Sequence, residues 1–194
     1  MAGESYLVVG LGNIGPEYAK TRHNMGFMVL DAWTQASDTS FTTQRYGDLA
    51  VMTVKGRTLY LLKPSTYMNL SGNAVRYYLQ KLPITEDRLI VICDDINLPF
   101  GTLRMRKSGS DGGHNGLKNI AELIGTEEYC RIRMGVGHDF HEGEQVDYVL
   151  GDLSPEEKEQ MPELCKKVSQ GILDWIFVGP ERAMNVLNTK ISKK

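Results

Sequence analysis

Leu89-Ile90-Val91-Ile92-Cys93-Asp94-Asp95 is the stretch on which the fold turns. It is apolar at every position until it meets two carboxylates. A strand with one wet face alternates apolar and polar residues, whereas a continuously apolar strand is covered on both faces, as in the middle of a parallel sheet. Further strand-like runs rich in Val, Ile, Leu and Tyr lie at 6–10, 49–54, 58–62, 102–107 and 129–137. Helical patterns lie between and after them, at 24–35, 71–81, 113–124 and 155–177. The last is opened by Ser154-Pro155-Glu156-Glu157, a cap followed by acidic first-turn residues. Lys55-Gly56-Arg57 between two strand patterns reads as a hairpin turn, so some pairing is antiparallel. The expected fold is α/β: a single domain spanning 1–194, with a central mixed, twisted sheet flanked by helices.

The chain has 194 residues, 41% hydrophobic and 24% charged. That suits one domain burying roughly 70% of the surface its unfolded form would expose. No apolar run approaches the ~18 residues of a membrane span. The opening Met1-Ala2-Gly3-Glu4-Ser5-Tyr6 lacks the basic and apolar regions of a secretory leader. Cys93, Cys130 and Cys165 are odd in number, far apart and set among apolar neighbours, which reads as buried reduced thiols in a cytoplasmic protein. Net charge is −2, which by itself argues against a polyanionic partner. Its distribution argues otherwise. Residues 139–163 hold nine acidic side chains and one lysine, a local charge of −8, so the remainder of the chain carries +6. Such polarity allows a basic face that attracts polyanions.

Gly10-Leu11-Gly12-Asn13-Ile14-Gly15 follows the first strand and matches the G-x-G-x-x-G dinucleotide pattern. The third glycine should open a helix at once, yet Pro16-Glu17-Tyr18 follows, and no acidic residue closes a second strand. The glycines instead suggest a tight turn at the carboxyl end of a strand, where open α/β sheets place their sites, with Asn13 presented there.

His23, just before the first helix, is placed to act as a general base. Asp94 leaves the sheet at the same edge and could orient one ring nitrogen of His23, as an aspartate does in a catalytic triad. No serine elbow or cysteine beside a glycine-rich turn supplies a nucleophile, so His23 is expected to activate water. Asn13, Asn24, Asn69 and Asn115 all fall at loop-to-helix junctions, where amides can hold water or a carbonyl without titrating. Arg104 and Arg106 alternate with apolar residues, as do Arg131 and Arg133, so each pair shares a sheet face suited to phosphate. His138-Asp139-Phe140-His141-Glu142 offers metal-ligand types, but with no matching cluster elsewhere it reads as a polar loop, and no metal is expected.

Two dense motifs stand out, Tyr18-x-x-Thr21-Arg22-His23-Asn24-x-Gly26 and Ser110-x-x-x-His114-Asn115-Gly116-Leu117-Lys118-Asn119-Ile120. Val9-Gly10-Leu11-Gly12-Asn13, Lys63-Pro64-x-Thr66-Tyr67-Met68-Asn69, Asp94-Asp95-Ile96-x-Leu98-Pro99-x-Gly101 and Arg131-Ile132-Arg133-x-Gly135 accompany them. Together these segments resemble bacterial peptidyl-tRNA hydrolases, the first two motifs being similar to the family's two signatures. The resemblance implies a cytoplasmic, monomeric, cofactor-free enzyme of translation and ribosome rescue that hydrolyses the ester joining a peptide to tRNA. It implies His23 as base and Asp94 as its partner, with Asn13, Tyr18, Met68, Asn69, His114 and Asn115 on the substrate. It places Arg104, Arg106 and Arg133 on the tRNA, at the 5′-phosphate and acceptor stem behind the 3′ CCA end. The clamp positions are usually lysines, and Cys93 stands where a histidine commonly precedes the aspartate. The acidic segment 139–163 is a possible lid over the cleft. Two other readings separate by assay: a non-catalytic RNA-binding relative acting in RNA processing would bind tRNA without turnover, and a nucleotide-dependent oxidoreductase would bind its cofactor.

Overall fold

A computed structural model describes residues 4–188; the reading of Met1–Gly3 as free of a leader lies outside them. The chain runs β1 (Ser5–Gly10), α1 (Met25–Ala36), β2 (Thr42–Gln44), β3 (Gly47–Val54), β4 (Arg57–Pro64), α2 (Ser71–Lys81) and β5 (Leu89–Asp95). Then follow β6 (Leu103–Arg106), α3 (Asn115–Ile124), β7 (Cys130–Gly135), α4 (Gln145–Val149), α5 (Pro155–Phe177) and α6 (Pro180–Leu187). Among the described residues the sheet has seven strands in the order β2-β3-β4-β1-β5-β7-β6. β4, β1, β5 and β7 are mutually parallel, while β2, β3 and β6 pair antiparallel at the edges. The sheet is mixed, as expected.

Leu89 to Cys93 are all fully buried, and their alternation feeds two separate cores. Ile90 and Ile92 pack with Leu30, Trp33, Val168 and Ile172 of α1 and α5. Leu89, Val91 and Cys93 pack with Val75, Tyr78, Leu117 and Ile120 of α2 and α3. Burial of this kind contributes about 1.5–3 kcal/mol per large aliphatic side chain. It also pushes the thiols up, Cys130 to about 12 and Cys165 to about 11, and leaves all three cysteines buried and unpaired.

Local signals account for the boundaries. α5 carries a capping box, with Ser154 and Glu157 each bonding the other's backbone N–H, and Pro155 at its first turn. Lys55 and Gly56 both have positive φ, 47° and 81°, between the register partners Val54 and Arg57, the two-residue turn expected for this hairpin. α3 starts two residues later than its periodicity suggests, because Gly112 and Gly113 are in the left-handed region and His114 caps the helix. β2, α4 and α6 were not expected. No described helix is long and apolar enough to cross a membrane.

Candidate active site

The parallel strands deliver their carboxyl ends to one edge, and the functional side chains gather there. A Cβ on Gly10 would lie 2.3 Å from the Gly26 carbonyl oxygen, and one on Gly26 would lie 2.3 Å from the Leu11 nitrogen. β1 and the start of α1 therefore meet backbone to backbone. The glycines that resemble a dinucleotide fingerprint are occupied by this packing, and only Gly15 adopts positive φ. The contact brings His23 and Asn24, in a 3-10 turn ahead of α1, against the end of β1.

Asn24 is buried and clamps the loop. Its Oδ1 accepts the Asn13 N–H at 2.8 Å, and its Nδ2 donates to the Asn13 carbonyl at 2.9 Å. Asn13 Oδ1 accepts the Met68 N–H at 2.7 Å. A backbone N–H can only donate, so this bond fixes the amide and leaves the NH2 end of Asn13 for a ligand. Tyr67, just before Met68, sits at φ 54° and ψ 157°, a region almost confined to glycine and costing about 1–3 kcal/mol. That strain is held at the point where Met68 turns toward Asn13.

Asp94 is 2% exposed and receives two imidazoles. His23 Nδ1 lies 2.9 Å from both carboxylate oxygens, and His114 Nε2 lies 3.0 Å from Oδ1. Burial alone would raise the Asp94 pKa. The charge His23 can carry and the hydrogen bonds from His114 and His23 outweigh it, holding the carboxyl well below its ordinary range. An ionised carboxylate only accepts, so His23 donates through Nδ1 and keeps its lone pair on Nε2.

His114 is fixed more tightly. Its Nδ1 accepts the N–H groups of Gly116 at 3.1 Å and Leu117 at 3.4 Å, capping α3. Nδ1 is therefore unprotonated and Nε2 donates to Asp94. Protonating Nδ1 would break the cap and place a cation at the positive end of the helix. His23, Asp94 and His114 are also the one trio of ligand-type groups lying within 4.8 Å of each other among the described residues. They do not fit a metal: ligation would need a lone pair on His114 Nε2, which must carry the proton while Nδ1 holds the helix.

Asn13, His23, Met68, Asn69, Asp94, His114 and Asn115 all line one cleft of about 300 Å³. The Asn69 and Asn115 side chains make no hydrogen bond among the described residues. Tyr18 does not line the cleft; its carbonyl accepts from Thr21. The segment 138–142 is organised by ring packing, with His138 and Phe140 centroids 4.0 Å apart and Phe140 and Tyr148 at 5.0 Å. Gln145, Val146 and Val149 of α4, with Leu150, line the same cleft.

The arginines divide. Arg104 faces Arg133 and Arg106 faces Arg131 across the β6–β7 ladder, on the face opposite buried Leu103 and Met105. Arg106 is exposed, and Arg104 and Arg133 are half-buried. Arg133 lines the cleft and donates to the Ser110 carbonyl at 2.6 Å. Arg131, expected to share the phosphate face with Arg133, is 1% exposed. Its guanidinium donates to the Glu127 and Tyr129 carbonyls and stacks 4.0 Å from the Tyr129 ring, so it is a structural residue.

Sequence reasoning singled out Asn24 as an amide for water or a carbonyl, whereas both ends of its amide are spent on the Asn13 backbone. It missed Arg22, which donates to the Tyr148 carbonyl and to Glu157, both at 3.2 Å, and lies 4.3 Å from the Tyr148 ring. The second Asp94 contact, from His114, was equally invisible.

The geometry has close counterparts. The peptidyl-tRNA hydrolase family profile matches residues 7–194. The peptidyl-tRNA hydrolase of Cytophaga hutchinsonii is 53% identical over 185 residues, covering 95% of this chain and 98% of the relative. That of Bacteroides fragilis is 52% identical, covering 95% and 99%. A crystal structure of peptidyl-tRNA hydrolase from Acinetobacter baumannii superposes with a TM-score of 0.89 at 29% identity, covering 97% of this chain and 96% of that one. The chain belongs to the peptidyl-tRNA hydrolase family.

Proposed function

We propose that this protein cleaves the ester between the carboxyl end of a peptide and the 3′-terminal ribose of tRNA, with His23 as general base on water. The observation that carries the reading is the orientation of His23: Nδ1 bound to Asp94, and Nε2 left basic in a cleft whose other polar groups include three asparagines. His23 Nε2 takes a proton from a water held by Asn69 and Asn115. The water oxygen attacks the ester carbonyl, and the developing oxyanion accepts from the Asn13 NH2, the end of that amide not bonded to Met68. The carbon–oxygen bond to the ribose breaks, and His23 returns its proton to the leaving oxygen. Asp94 remains ionised and stabilises the imidazolium in between. Met68 lines the peptide side, and His114 acts through Asp94.

On the tRNA side, Arg104, Arg106 and Arg133 take the 5′-phosphate and acceptor stem, with the 3′ CCA end entering past Gly112 and Gly113. Arginine in place of lysine offers bidentate contacts to phosphate. The acidic segment 139–163 serves as a lid through α4, its charge keeping the tRNA backbone to the arginine side. The protein works as a monomer, without cofactor, in the cytoplasm.

The test is release of free tRNA from an N-blocked aminoacyl-tRNA with chelator present, for wild type and His23→Ala. A general base supplies about 10²–10⁴-fold, so the variant should lose that much while remaining folded. Full activity in His23→Ala would remove the assignment. Salt-sensitive tRNA binding without turnover by wild type would favour the RNA-binding reading.

A further inference from the structure

A second cavity, about 200 Å³, lies on the other side of Asn13 from the catalytic cleft. Asn13 lines both and forms the wall they share. Ile14, which lines this cavity, is a large apolar side chain left 44% exposed. The cavity's charge is unbalanced. Lys63 donates to Asp31 at 2.6 Å and sits 4.3 Å from the Phe41 ring, so its ammonium is committed. Asp48, directly across the β3–β4 ladder from Lys63, is half-buried, and its carboxylate has no hydrogen-bond or ion-pair partner among the described residues. One cation thus serves two carboxylates, beside an apolar wall from Phe27. Removing a carboxylate from water costs free energy unless it is paired, so Asp48 favours an incoming cation.

We propose that this cavity binds the side chain of the penultimate residue of the peptide and selects basic side chains over acidic ones through Asp48. The inference rests on the hydrolase reading above. With the scissile carbonyl at the Asn13 amide, the next residue toward the peptide's N-terminus lies about 3.5 Å of extended chain further on, across the Asn13 wall. The aliphatic stem of a lysine or arginine would lie along Phe27 and Ile14 with its charge at Asp48.

Four substrates on one tRNA test it: N-acetyl-Lys-Ala-, N-acetyl-Ala-Ala-, N-acetyl-Glu-Ala- and N-acetyl-Ala-tRNA. At low ionic strength kcat/KM should fall in the order Lys, Ala, Glu, with about three- to fivefold between the extremes. Asp48→Asn should abolish the difference, and Asp48→Lys should reverse it. N-acetyl-Ala-tRNA, which does not reach the cavity, should be hydrolysed equally by all three proteins, showing that the variants are folded and active. Equal rates for the Lys and Glu substrates in wild type, or a ratio that persists in Asp48→Asn, would overturn the proposal. Failure of wild type to hydrolyse N-acetyl-Ala-tRNA would overturn the hydrolase reading and this proposal with it.

Discussion

Asp94 and Arg22 are both charged hubs that tie the turn carrying His23 to other elements, and they are built to different standards. Asp94 is 2% exposed and both of its carboxylate oxygens face an imidazole donor; it joins β5 to His23 and, through His114, to α3. Arg22 joins the same turn to α4 and the start of α5, but its side chain is 15% exposed and its Nε is buried without a hydrogen-bond partner among the described residues. The first hub determines which nitrogen of His23 is basic. The second determines where one wall of the cleft stands. A chemical role tolerates no freedom in the carboxylate, whereas a wall that admits a polymer can be held by fewer bonds.

Breaking the Asp94 hub should have the largest effect. Asparagine cannot accept from two imidazoles at full strength or stabilise an imidazolium, so Asp94→Asn should lower kcat by about 10³–10⁴-fold. The same substitution changes acid stability. Because the folded Asp94 pKa is depressed, its contribution is present above the ordinary carboxylate value of about 4 and is lost as pH falls below it. Thermal melts from pH 7 to pH 3 should show a steep acid limb in wild type and a shallower one in Asp94→Asn.

His114→Asn separates the two jobs of that imidazole. Asparagine still caps a helix, so α3 should survive, but the bond to Asp94 is lost. A hydrogen bond to a charged group is worth about 1.5–3 kcal/mol, which predicts a lowered Tm and a fall in kcat of up to about ten- to hundredfold. An unchanged kcat would reduce His114 to a cap.

Arg22→Gln loosens the other hub. The α4 wall should lose one of its anchors, Tyr148 keeping its bond to the Val136 carbonyl, while His23 keeps Asp94, so KM for peptidyl-tRNA should rise about three- to tenfold with kcat within about twofold. A matching fall in kcat would show that Arg22 also holds the base.

The fold was legible where one segment carried its own stop signals. α2 and α5 begin and end at the residues their patterns indicated, α5 because Ser154, Pro155 and Glu157 specify its start chemically. β2 was not legible, since Thr42, Thr43 and Gln44 are all exposed and make a strand only by lying beside β3. α6 had Pro180 at its first turn as a signal, but only eight residues in which to show a period. At the site, His23, Asp94 and Asn13 could be placed from chain position alone, because strand ends at one sheet edge converge. The His114–Asp94 bond could not, because no local pattern links a helix cap to a carboxylate twenty residues earlier.

Arg131 and Arg106 show what periodicity leaves undetermined, and they provide the smallest test. Alternation assigns both to the same sheet face, and they are direct cross-strand partners, yet Tyr129 and the carbonyls around it cover one and leave the other in solvent. Face follows from period, whereas depth depends on what the rest of the chain lays on that face. Arg106→Ala should reduce the slope of log kcat/KM against log salt concentration by about 1, uniformly across tRNAs, because one phosphate contact releases its counterion. Arg131→Ala should leave that slope unchanged and lower Tm instead, since it strips donors from the buried Tyr129 carbonyl and from the Glu127 carbonyl beside it. If both substitutions lowered the slope equally, Arg131 would belong to the tRNA face despite its burial.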